Sequence, residues 1–182
     1  MFKKCLSIGG ILAGMMLAET ILTGCDFNYK YESETDKKRR DALEIINNMG
    51  ELLNKTSDIN TKTQDTLNHA KRMSNLNQGF TYQARKFKEY ANEMYDFIYK
   101  SNVPSEVRNA ALEYAQALST YGIVCDSAPY YQENVNINRF EYKQFEKRWD
   151  EALYEIAQKQ GMLIDVVNKT VENQKKILES SK

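Results

Sequence analysis

The stretch Ser101-Asn102-Val103-Pro104-Ser105-Glu106 (SNVPSE) decides how many rods this chain folds into. Proline has no N–H to give a helix interior, and its ring pushes the preceding residue into extended geometry. It suits the first turn of a new helix. One helix therefore ends near Ser101 and another begins at Pro104. Upstream, Phe80, Ala84, Phe87, Ala91, Met94 and Ile98 recur at alternating intervals of four and three, the spacing of one buried helix face. Downstream, Val107, Ala111, Tyr114, Leu118 and Tyr121 form a second stripe, running to about Ile123. The two stripes differ in phase by one residue. That slip fits either a kinked rod continuing in line or a tight hairpin.

Outward from this break the same spacing returns on both sides. Ile45, Leu52, Ile59, Thr66 and Met73 recur at sevens, with Met49, Thr56, Thr63 and Ala70 between them. They predict a helix over 36–77, capped by Thr35 or Asp36 and ended by Asn77-Gln78-Gly79. Its middle, TSDINTKTQDT, is polar and predicts loose packing or polar partners. After a loop at 125–137, Tyr142, Trp149, Ile156, Leu163, Thr170 and Ile177 recur at sevens, with Phe145, Ala152 and Val166 between them. They predict a helix over 138–180. Each outer helix would run for about 63 Å at 1.5 Å per residue, and the two middle pieces end to end match that length. The simplest architecture is an all-α, elongated antiparallel bundle with coiled-coil-like seams, made of three long helices with the second broken at Pro104. The alternative folds the middle pieces against each other and gives four helices.

Composition narrows the function classes. Lys plus Arg and Asp plus Glu number 25 each. Such a balance excludes the basic excess of a nucleic-acid binder. The single histidine, His69, has no set of His or Cys partners at zinc-binding spacing, and no phosphate-cradling glycine loop or nucleophile elbow occurs. Neither metal nor cofactor is expected, and no enzymatic constellation is visible. The carboxylates lie at charge-pair spacing on helix faces.

The first 25 residues have a different character. Lys3 and Lys4 precede the apolar run CLSIGGILAGMMLA, which is shorter than the roughly 20 apolar residues of a spanning helix. Small residues then lead to Cys25. With Leu22-Thr23-Gly24-Cys25 in the place of a lipobox, this segment resembles the bacterial lipoprotein precursors. The resemblance implies a signal peptide over 1–24, cleavage before Cys25, and acyl chains on the Cys25 thiol and amine. Two or three such chains hold a protein firmly on a bilayer. Asp26, directly after the modified cysteine, resembles the signal that retains enterobacterial lipoproteins in the inner membrane. It points to the periplasmic face of that membrane, with the outer membrane as the alternative.

Removing 1–24 leaves 23 basic and 24 acidic residues. Residues 25–35 would be the acylated cysteine and a polar tether, and 36–182 the bundle domain. Cys125 would have no intramolecular disulfide partner and reads as a small buried residue. Among the twelve tyrosines, Tyr114, Tyr121 and Tyr142 fall on seams. Tyr130 and Tyr131, with Pro129, fall in the longest break, where recognition residues tend to collect on rigid scaffolds. These three are the candidate partner-binding residues. The expected function is a lipid-anchored structural or protein-interaction module of the cell envelope, with a protein partner there and oligomers left open. The alternative is a periplasmic module holding a small amphipathic ligand between its helices. A sealed seam would favour the first, and an apolar pocket of several hundred Å³ the second.

Overall fold

The computed structural model describes residues 33–128 and 139–180. They form four helices: α1 (Glu34–Lys71), α2 (Leu76–Lys100), α3 (Ser105–Asp126) and α4 (Arg139–Ser180), with no strand among the described residues. Each helix packs on its neighbour in sequence, and α1 closes the ring against α4. This is an up-down-up-down bundle.

The chain takes the hairpin option at SNVPSE, so the expected straight rod of two middle pieces is replaced by two antiparallel helices. Ser101 and Pro104 are both extended, with ψ of 138° and 150°. Two extended residues this close turn the chain back instead of continuing it. The turn is held from several sides. Val103 is buried, the Arg108 guanidinium donates to the Ser101 carbonyl, and Asn48 of α1 donates to the Asn102 carbonyl at 2.7 Å. Val103 supplies the apolar plug that makes reversal cheaper than a solvated kink.

Cross-helix contacts set the register. Between α1 and α2, Asn48 meets Asn102, Lys55 meets Glu93, and Thr66 meets Tyr90. Between α3 and α4, Glu113 meets Lys159, and Tyr121 meets Trp149. By that register the hairpin tip falls level with about residue 48 of α1 and about residue 168 of α4. Beyond it the outer helices continue as a pair for about 14 residues each, or roughly 20 Å. Ala42 is buried in this two-helix section. Ile177, expected on the seam, is 38 % exposed there, because no α2 or α3 reaches that level to cover it.

The seams otherwise run as the spacing predicts. Met49, Leu52, Thr56, Ile59, Thr63 and Thr66 are buried on α1. Ala84, Phe87, Ala91, Met94 and Ile98 are buried on α2, and Val107, Ala111, Tyr114, Leu118 and Tyr121 on α3. On α4, Phe145, Ala152, Ile156 and Leu163 are buried, but Val167 takes the buried place expected of Val166, and Tyr142, Trp149 and Thr170 are only half-buried.

Three boundaries differ from expectation. α1 starts two residues early, because the Ser33 hydroxyl accepts from the Asp36 N–H and so caps it, leaving Thr35 and Asp36 inside the helix. It ends at Lys71, not near 77. Asn75 caps α2, its side chain accepting from the N–H groups of Asn77 and Gln78. Gly79, expected to end the first helix, lies inside α2, where a Cβ would sit 3.4 Å from the Ala70 carbonyl oxygen. That is ordinary contact distance with α1, and Met73 falls in the turn. Finally, α3 runs through Asp126, so Cys125 is helical and not part of the loop.

Candidate interaction surface at the far end of the bundle

The register puts the start of α1 and the end of α4 at one end of the molecule. The α1–α2 turn, the end of α3 and the start of α4 share the other. Pro129, Tyr130 and Tyr131 lie outside the described residues, as do Cys25 and Asp26. The residues flanking that loop, Ala128 and Arg139, are at the far end.

An aromatic plug underlies this end. Phe80 of α2 meets Phe145 edge-on at 5.0 Å and Trp149 at 6.3 Å. Phe87 meets Tyr121 at 4.2 Å, and Tyr121 meets Trp149 at 6.2 Å. Tyr142, half-buried, leans on Phe145 at 6.4 Å. The buried Tyr121 hydroxyl donates to Gln83 Oε1 at 2.7 Å, and Gln83 Nε2 donates to the Gly79 carbonyl. A polar side chain is tolerated in this core because its oxygen and its amide are both used. Rings from three helices, tied by this short chain of hydrogen bonds, make a stiff support for whatever sits above it.

Cys125 is buried beside Tyr121, and desolvation pushes its thiol up to about 12. The thiolate, which is the reactive form, is therefore scarce at neutral pH. Burial likewise raises the Tyr114 and Tyr121 hydroxyls well above their ordinary range.

On the outside, the His69 and Tyr82 rings meet at 4.9 Å, tilted by 53°, and the Arg85 guanidinium lies 5.9 Å from the Tyr82 ring centre. An open depression of about 460 Å³ beside them is lined by Asn75, Asn77, Gln78, Thr81, Tyr82 and Arg85. Leu76 and Ile123 stand exposed at this end, at 50 % and 59 %. This surface offers amides, one guanidinium and two isolated apolar side chains. These groups can make hydrogen bonds and apolar contacts. Among the described residues no group of three or more His, Cys, Asp or Glu could hold a metal ion, and no helix is long and apolar enough to cross a membrane.

Sequence reasoning missed the Tyr82–Arg85 part of this surface because it placed the turn five residues late. The signal was present: Asn75 with Gln78 three residues on is the pattern of a helix N-terminus. Comparison of the chain with known protein families, curated proteins and solved structures gives no match in any of the three.

Proposed function

We propose that the protein is a lipid-anchored structural or interaction module of the bacterial envelope, held to the bilayer through acyl chains on Cys25. The observation that carries this reading is the order of basic, apolar and Leu22-Thr23-Gly24-Cys25 segments, with α1 beginning at Glu34, shortly after the cysteine. The tether between them spans at most about 30 Å when fully extended. An anchor at Cys25 would leave the start of α1 near the bilayer and the far end about 60 Å away. The partner surface would then be the far end, including the segment that holds Pro129, Tyr130 and Tyr131. Asp26 favours the periplasmic face of the inner membrane.

The reading of a ligand held between the helices draws less support. Met49, Leu52, Phe87, Met94, Leu118 and Leu163 on the facing sides of the helices are all fully buried, and the depression at the far end is open to solvent and lined by α2 and the turn before it, not by the facing sides of the helices.

Cys25→Ser should abolish incorporation of a palmitate analogue in growing bacteria and leave an uncleaved precursor. Undiminished label on the variant would refute the anchor. Gradient fractionation that found the wild type in the outer membrane would refute the role given to Asp26.

A further inference from the structure

The four helices do not hold the bundle equally. Of the described aromatic residues, none but His69 is on α1; the ring cluster comes from α2, α3 and α4. To the main core α1 gives Met49, Leu52, Ile59 and Leu67. Between these, its buried face carries Thr56, Thr63 and Thr66. The Thr56 hydroxyl turns back to the Leu52 carbonyl at 2.8 Å, and that of Thr66 meets the Tyr90 hydroxyl at 2.7 Å. The Thr63 hydroxyl and the Gln64 amide nitrogen are buried with no hydrogen-bond partner. A buried polar group left unpaired favours any state that lets water reach it. Opening α1 would hydrate both groups, and the aromatic cluster of the other three helices would stay packed.

Across this polar stretch lies one charged grip. The Glu93 carboxylate on α2 accepts from Lys55 at 2.6 Å and from Lys62 at 2.9 Å. Lys62 also pairs with Asp58 at 2.9 Å, and Lys55 stands 3.8 Å from the same carboxylate. Partial burial pushes the Glu93 carboxyl up, but the two lysines outweigh it and hold it below its ordinary range. One side chain of α2 thus joins two successive heptads of α1, Lys55 and Lys62, over the section whose buried face carries Thr56 and Thr63.

We propose that α1 is a releasable strap. It separates locally from an α2–α3–α4 core that stays folded, and Glu93, gripping Lys55 and Lys62, is the latch that holds it closed. The proposal rests on the bundle alone and stands whether or not Cys25 is acylated.

The test is amide hydrogen exchange on the full chain in detergent micelles, comparing residues 52–66 of α1 with residues 111–121 of α3. The α1 amides should exchange faster than those of α3 in the wild type. Glu93→Gln should speed α1 by about tenfold or more, the size expected when charge-assisted hydrogen bonds are lost, with the slowest α3 amides unmoved. Thr63→Val removes an unpartnered hydroxyl at nearly constant volume, so it should slow α1 exchange. Equal exchange in both helices, or a Glu93→Gln effect shared equally between them or absent from both, would overturn the strap. Faster or unchanged α1 exchange in Thr63→Val would overturn the role given to the polar seam.

Discussion

Cys125 and Tyr121 sit one turn apart on α3, and burial acts on both in the same direction. An acid whose proton is held more tightly in the folded state stabilises the fold at low pH and loses that contribution as pH rises. The unfolded thiol titrates near 9, whereas the folded one waits until about 12. Stability should therefore begin to fall above about pH 9, by up to roughly 1.4 kcal/mol per pH unit for this one group. The Tyr114 and Tyr121 hydroxyls add to the fall above about pH 10, since both are raised. Urea unfolding at pH 8, 9, 10 and 11 should show the decline, and Cys125→Ala should soften it between 9 and 10. An unchanged slope in the variant would mean that the thiol is not desolvated. The sequence indicated Cys125 as a small buried residue, and burial bears that out. Spacing could not reveal its pairing with Tyr121, or the use of Gln83 in the core, because apolar periodicity ignores polar groups that satisfy one another. Trp149 is a related case. Its ring joins the aromatic plug, yet the residue is only half-buried and its indole N–H is enclosed without a hydrogen-bond partner.

At the scale of elements, spacing located the seams of all four helices because it reports burial directly. Boundaries were harder. Gly79 was read as a terminator, whereas it lies inside α2, where a Cβ would make ordinary contact with Ala70; a glycine alone does not say whether it ends a helix or sits within one at a packing contact. The other glycines separate the two uses. A Cβ at Gly122 would lie 3.0 Å from the Ala84 carbonyl oxygen and 3.0 Å from Lys88 Cγ, so the α2–α3 contact depends on its absence. A Cβ at Gly161, inside α4, would meet nothing within 4 Å. Alanine has the higher helix propensity, by about 1 kcal/mol. Gly161→Ala should therefore raise the melting temperature, and Gly122→Ala should lower it by forcing the backbones apart, at a cost of about 1–3 kcal/mol. Thermal melts of the two variants check the pair. Stabilisation by Gly122→Ala would mean that α2 and α3 are not in close contact there.

The arrangement of the whole molecule turns on one backbone reversal, and here sequence spacing was least decisive. A kinked rod and a hairpin bury nearly the same stripes, because each stripe reports that a face is covered and not by which helix. What separates them is the fate of Ser101 to Pro104, where a buried Val103 and bonds from Asn48 and Arg108 settle the hairpin. The hairpin carries the end of α3, as far as Ala128, to the end opposite Glu34. A distance measurement tests this without reference to any partner. Leu76 and Ile123 are both exposed, so each accepts a cysteine bearing a spin label in a Cys125→Ala background. In a straight rod the two positions would be roughly 70 Å apart at 1.5 Å per residue. In the hairpin, on neighbouring helices with axes about 8–10 Å apart, they fall within about 25 Å. Pulsed electron resonance should give a single distance in the shorter range. A population near 70 Å would show that the middle helices extend in line, and the far end would then lose the α3 terminus on which the proposed partner surface rests.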